Sequence, residues 1–288
     1  MRDIADIIVQ QAITAIDSGK TAELMELIDL HPDLVVDRLQ NNDDGYFKNP
    51  YLLWFVADNP IRTDQLRHNI LDVTRSLLQV AKNKAPDTYK YQVDYTLSLV
   101  ASGRVPRDCG VQIAMIDLLI DAGASPNAAM VALANGNLDA AQHLVDRGDN
   151  LTLAIAVCLE GKDDINHLAA LASEDEKLTA LATAAFYGKA NMVRRLLETG
   201  VNPNGFPKDN SGFHSHATPL HQAVSSGSLD TVKLLVEAGA SLYAADKIYN
   251  GTPQGWAAYL QSDDSNDESG KRNFGLIKKF LYTSEEAH

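Results

Sequence analysis

Thr218-Pro219-Leu220-His221-Gln222-Ala223, then Gly227, then Leu234-Leu235-Val236-Glu237-Ala238-Gly239-Ala240, is the stretch that decides how this chain is read. It reads as a helix, a turn and a second helix. Each helix closes at a glycine, where the chain leaves in a left-handed conformation that any Cβ disfavours. Two short helices cannot bury their apolar faces alone, so the unit must be one of a stack. The same alternation should then recur on either side.

It does recur. Upstream, Leu178 to Gly188 pairs with Met192 to Leu197, closed by Gly200. Leu151 to Gly161 pairs with Ile165 to Ala172, and Ala128 to Gly136 with Leu138 to Gly148. Further back come Tyr91 to Gly103 with Val111 to Gly123, Pro50 to Asp58 with Ile70 to Val80, and Ile4 to Gly19 with Thr21 to Leu30. Downstream, Thr252-Pro253-Gln254-Gly255-Trp256-Ala257 restarts the motif, and Phe274 to Leu281 supplies a last second helix. The expectation is one all-α stack of about eight helix pairs over residues 1–288, with divergent units in 1–127, short ones in 128–176 and regular ones in 177–288.

The opening stretch resembles an ankyrin repeat, with Thr218, Pro219, Leu220, His221, Gly227 and Gly239 at the motif positions. The resemblance is close over residues 178–260 and degenerate upstream. First-helix glycines at 136, 161, 188 and 227 lie 25, 27 and 39 residues apart, against a family period of about 33. The two short units leave no room for the family's projecting finger, while the long one holds an oversized finger, Gly205 to Ala217. The runs Gly-Phe-His-Ser-His-Ala-Thr-Pro-Leu-His and Asn-Gly-Thr-Pro-Gln-Gly-Trp-Ala are similar to bacterial ankyrin-repeat proteins in particular. The resemblance implies an ankyrin-type α-solenoid that binds another protein in a concave groove, with no enzymatic activity and no cofactor. It also implies a structural His221, its ring hydrogen-bonded near Thr218.

Composition narrows the partners. The chain is 45% hydrophobic and 22% charged but only 7% aromatic, and its Ala–Leu richness favours closely packed helices. A net charge of −13 comes from 38 acids and 25 bases. It is spread evenly, with 18 acids and 12 bases up to residue 127 and 20 and 13 beyond. Such a field disfavours nucleic acid and anionic membrane, where Lys and Arg would have to dominate. Cys109 and Cys158 are too few for a disulfide-stabilised secreted domain, and Cys-x-x-Cys zinc spacing is missing. The first segment carries acids at Asp3, Asp6 and Asp17 and lacks a signal-peptide pattern. No apolar run approaches the roughly 18 residues of a membrane span. A cytoplasmic location is the expectation, and monomer and homo-oligomer both stay open. Phosphate-binding loops, Gly-x-Ser-x-Gly and His-Glu-x-x-His do not occur.

Three segments carry candidate chemistry. His214, His216 and His221 invite a metal reading, with Asp209 as a further ligand; against it, His221 belongs to the repeat motif, so no metal site is assigned. Gly45-Tyr46-Phe47-Lys48-Asn49-Pro50-Tyr51-Leu52-Leu53-Trp54-Phe55 holds five aromatics within the ten residues 46–55. Tyr51, Trp54 and Phe55 fall at helical spacing and suit a core, while Tyr46 and Phe47 precede the helix and are harder to bury. Arg104 and Arg107 bracket Pro106 in an expected helix-connecting loop, where they would clamp a carboxylate or phosphate, or else pair with Asp94 or Asp108. Aromatics and arginines are enriched at interface hot spots. A protein partner is therefore placed at Tyr46, Phe47, Trp54, Arg62, Arg104 and Arg107, with the finger 205–217 as the fallback. The competing reading is a small-molecule- or metal-binding protein, enzymes included, that uses the Arg104/Arg107 or His214/His216 loop.

Overall fold

The computed structural model describes residues 4–40, 45–159 and 165–285. Asp3 and Gly161, named above, lie outside them. Among the described residues every regular element is a helix. The chain divides into two compact units, residues 1–150 and 151–288.

The N-terminal unit holds α1 (Ile4–Ser18), α2 (Thr21–Leu30), α3 (Asp33–Val36), a 3-10 segment (Leu52–Ala57), α4 (Ile70–Lys84), α5 (Pro86–Ser102), α6 (Arg104–Asp108), α7 (Gln112–Asp121), α8 (Ala129–Ala134) and α9 (Leu138–Asp146). Two parallel rows result. In one, α1 packs on the 3-10 segment, that segment on α5, and α5 on α8; in the other, α2, α4, α7 and α9 follow one another. Each first-row element also packs on its own second-row partner, which is the stacking that lone helix pairs require.

Three expectations change here. Pro50 to Asp58 was expected to supply an ordinary first helix; instead Leu52–Ala57 forms a 3-10 turn with all six residues buried. Residues 102–110 are not a plain loop, because α6 forms within them. Gly103 closes α5 at φ −71° and not in the left-handed region. A Cβ there would lie 2.9 Å from both the Leu99 carbonyl oxygen and Pro106 Cδ, so close approach is what requires glycine. By contrast Gly227 does sit at φ +69°.

The C-terminal unit holds α10 (Leu153–Leu159), α11 (Ile165–Leu171), α12 (Glu174–Phe186), α13 (Ala190–Glu198), a 3-10 turn (Asp209–Ser211), α14 (Pro219–Ser225), α15 (Leu229–Glu237), α16 (Pro253–Ser262) and α17 (Glu268–Glu285). Here α10, α12, α14 and α16 form one row, with α13, α15 and α17 behind. Ala180, Ala182, Ala184 and Ala185 are fully buried on α12, and such small side chains let helix axes approach closely. Ser173 starts α12 with a reciprocal cap: the Ser173 N–H donates to Glu176 Oε2 (2.8 Å) and the Glu176 N–H to Ser173 Oγ (3.3 Å).

Candidate partner-binding surfaces

The aromatic segment of the N-terminal unit is largely interior. Phe47, Tyr51, Trp54 and Phe55 are all buried, which corrects the placing of Phe47 and Trp54 at a surface. The loop folds back so that the Phe47 ring lies 5.1 Å from Phe55 and 6.2 Å from Trp54. Tyr51, Trp54 and Tyr91 meet at interplanar angles of 59–74°, making three walls of a corner. The Arg38 guanidinium fills that corner, 5.0, 5.5 and 5.3 Å from the three ring centroids, and Arg38 Nη1 donates to the Asn49 carbonyl at 3.1 Å. Tyr46 stays 59% exposed, its hydroxyl donating to Asn59 Oδ1 at 3.0 Å.

Arg62 ties the unit together. Its Nη2 donates to Asp17 Oδ1 on α1 (2.7 Å) and to the Phe55 carbonyl (2.7 Å). Its guanidinium lies 4.9 Å from the Phe55 ring centroid. Buried Asp58 organises the following loop by accepting the N–H groups of Arg62, Thr63 and Asp64. This clasp leaves Arg62 mostly enclosed.

Arg104 and Arg107 share a carboxylate of their own chain. Arg104 Nη1 donates to Asp108 Oδ2 and Arg107 Nε to Asp108 Oδ1, both at 3.0 Å. Arg104 also pairs with Asp64, and Arg107 Nη1 donates to Asn137 Oδ1 at 2.9 Å. Hydrogen bonds from Arg107, and from Arg104 beside it, hold the Asp108 carboxyl below the usual carboxylate range. The fork is filled by Asp108 and not Asp94, which pairs with Lys90. Arg107 lines a cavity of about 430 Å³ with Gln112, Asn137 and Asp139.

In the C-terminal unit the motif residues form a local lock. Thr218 caps α14, its Oγ1 2.8 Å from His221 Nδ1, and the Thr218 N–H donates to the same nitrogen at 3.3 Å. His221 Nε2 lies 2.9 Å from the Gly251 carbonyl. A carbonyl can only accept, so Nε2 carries the proton and Nδ1 accepts. Burial pushes the His221 ring below the ordinary histidine range, against an opposing pull from the Gly251 bond. His214 packs against Phe186 and Phe213, and the Lys247 amine lies 4.0 Å from Asp209. Among the described residues no three His, Cys, Asp or Glu side chains gather to hold a metal ion.

That lock reaches the loop before α16, where the sequence reading missed the exposed residues. Asp246 is buried, and its carboxylate accepts the N–H groups of Ile248 (2.9 Å), Tyr249 (2.7 Å) and Gly251 (2.8 Å) and the Trp256 indole N–H (3.0 Å). Burial alone would raise its carboxyl; the four donors outweigh burial and hold it well below the carboxylate range. Gly251 passes so close that a Cβ would meet Asp246 Oδ2 at 3.0 Å and Trp256 Nε1 at 3.1 Å. With the backbone turned around Asp246, Ile248 and Tyr249 face solvent, Tyr249 at 79% exposure. Tyr249, Trp256, Tyr259 and Leu260 frame a largely apolar cavity of about 610 Å³, and Tyr259 is 68% exposed. The available signal was Asp246-Lys247-Ile248-Tyr249-Asn250-Gly251, an apolar pair inside a turn sequence.

The ankyrin-repeat family model, in three copies, matches residues 130–246. Over 67 residues the chain is 42% identical to the potassium channels GORK of Arabidopsis thaliana and KOR1 of Oryza sativa subsp. japonica, covering 23% of this chain and 7% of each channel. Over 64 residues it is 39% identical to the ankyrin repeat-containing protein P1E11.10 of Schizosaccharomyces pombe, covering 22% of this chain and 28% of that protein. The chain thus spans less than a third of each of these relatives. The crystal structure of the human ASB11 ankyrin repeat domain resembles it at a TM-score of 0.41 and 14% identity, over 95% of this chain and 96% of that one. It is the family model that gives ankyrin repeats at residues 130–246. The relatives named here come from plants and a yeast, and lend the expected bacterial likeness no support. Among the described residues no helix is long and apolar enough to cross a membrane.

Proposed function

We propose that the chain is a non-enzymatic binding module, and that a protein partner docks on the C-terminal unit across the cavity framed by Tyr249, Trp256, Tyr259 and Leu260. The observation that supports this reading is an apolar cavity of about 610 Å³ whose tyrosine walls stand mostly in water. Exposed, contiguous aromatic surface on a rigid support marks interaction sites. The support here is the Asp246 carboxylate, which fixes the loop before any partner arrives. A protein fits better than a small molecule because the tyrosines that frame the cavity are themselves mostly exposed and Ile248, next to Tyr249 in the chain, is more than half exposed as well. In the N-terminal unit Tyr46, Arg104 and Arg107 make a separate and weaker candidate, because the arginines already serve Asp64 and Asp108.

The test is affinity capture from the native source with the wild type and with a Tyr249→Ala/Tyr259→Ala variant of equal melting temperature. A specific protein should be retained by the first and lost from the second. Identical capture profiles would sink the proposed surface.

A further inference from the structure

The cavity has an electrostatic end. Trp256, Tyr259, Leu260 and Asp263 fall at i, i+3, i+4 and i+7 of α16 and its cap, so they share one stripe. Past the tyrosine and leucine, the stripe ends on Asp263, where the chain leaves the helix and continues through Asp264, Asp267 and Glu268. Asp264, Asp267 and Glu268 are exposed and Asp263 is half-buried. Among the described residues, Lys271 is the one side-chain cation within 4 Å of any of the four, at 3.3 Å from Asp264. The carbonyl end of α16 adds a partial negative charge beside Asp263, while the N-terminus of α17, which starts at Glu268, offsets part of the charge of Asp267 and Glu268. Lys247 on the loop is directed elsewhere, its amine 4.7 Å from the Phe206 ring centroid and 4.0 Å from Asp209.

We infer that the segment seated here joins an apolar anchor side chain to a Lys or Arg about two to three residues away in sequence; this rests on the docking surface proposed above. The spacing follows from two rises. From Tyr259 to Asp263 the helix advances about 6 Å, and from Trp256 about 10 Å, at roughly 1.5 Å per residue. An extended partner covers about 3.3–3.6 Å per residue. The anchor fills the cavity between Trp256 and Tyr259, and the cation lies over the acidic run. An acidic or uncharged flank would meet unfavourable potential and bind more slowly and more weakly.

Selection of displayed random 12-residue peptides on the full chain tests this, followed by fluorescence anisotropy of the enriched sequences. Peptides with an aromatic or aliphatic residue and Lys or Arg at that spacing are expected, losing about tenfold or more in affinity on Tyr249→Ala/Tyr259→Ala. An Asp263→Lys/Asp264→Lys variant with unchanged circular dichroism should weaken those same peptides and favour acidic flanks. Enriched peptides that need the tyrosines but show no basic residue, or that ignore the charge reversal, overturn this inference and leave the docking surface standing. Peptides indifferent to the tyrosines, or no enrichment at all, remove both.

Discussion

Each unit concentrates aromatic side chains, and the two use them in opposite ways. In the N-terminal unit Tyr51, Trp54 and Tyr91 form a corner that the chain fills with its own Arg38. Phe47 and Phe55 close the corner's inner side. In the C-terminal unit Tyr249 and Tyr259 border a cavity and stay open to water. Aromatic density along a sequence therefore does not distinguish core from surface. What distinguishes them is whether the chain brings a cover, and Arg38 lies more than ten residues from the rings it covers.

The strongest way to break that contrast is Trp54→Ala. Removing a fully buried indole should cost about 3–5 kcal/mol, measured by urea unfolding followed by circular dichroism. A loss under about 1 kcal/mol would mean that the cluster is not a core and that the two regions are alike.

Next comes the lock under the open face. His221→Ala strands the Gly251 carbonyl and the Thr218 N–H in the interior, at about 1–3 kcal/mol, whereas His216→Ala should change stability by about 0.5 kcal/mol or less. The pH dependence has a definite sign. The folded ring takes a proton less readily than the unfolded one, because burial disfavours its charge. Its contribution is thus complete above about pH 6.5 and declines as the pH falls below that value toward the folded pKa. Asp246 adds a separate window: its depressed carboxyl contributes fully above about pH 4 and loses that contribution as acid is added. Wild type and His221→Ala should therefore converge in stability between pH 7 and pH 5. Parallel curves would show that His221 does not titrate on unfolding.

The helix pairs were legible because glycine and Ala–Leu punctuation are local signals, and the two rows follow once neighbouring pairs stack. The 3-10 segment was not legible. All six residues from Leu52 to Ala57 are buried, so no polar face marks a period. The Phe47 burial depends on a loop folding back, and Asp58 on an interior acid finding backbone donors; neither leaves a pattern in sequence. The Arg104/Arg107 pair was visible, but its occupant was decided by helix formation, which places Arg104 and Asp108 four residues apart on α6. The exposed tyrosines were hidden by their ordinariness, because a tyrosine in a turn reads the same whether it is covered or bare.

A smaller effect sharpens the comparison from the covered side. Arg38→Ala should cost about 1 kcal/mol, the scale of an exposed cation–π contact. It should also open Trp54 to water, read as a red shift and stronger iodide quenching in a Trp256→Phe background. An unchanged spectrum would mean that Arg38 does not cover the corner in solution.

The smallest effect belongs to the open face. Tyr259 is 68% exposed, so Tyr259→Ala removes little buried area and leaves no interior group unpaired. Stability should move by no more than about 0.5 kcal/mol. Helix propensity leans the same way, since alanine is a better helix former than tyrosine and the site lies within α16. Any loss in partner capture by this variant then reflects a missing contact and not a weakened fold. A melting temperature lowered as far as that of Trp54→Ala would place Tyr259 in the core and erase the difference between the two units.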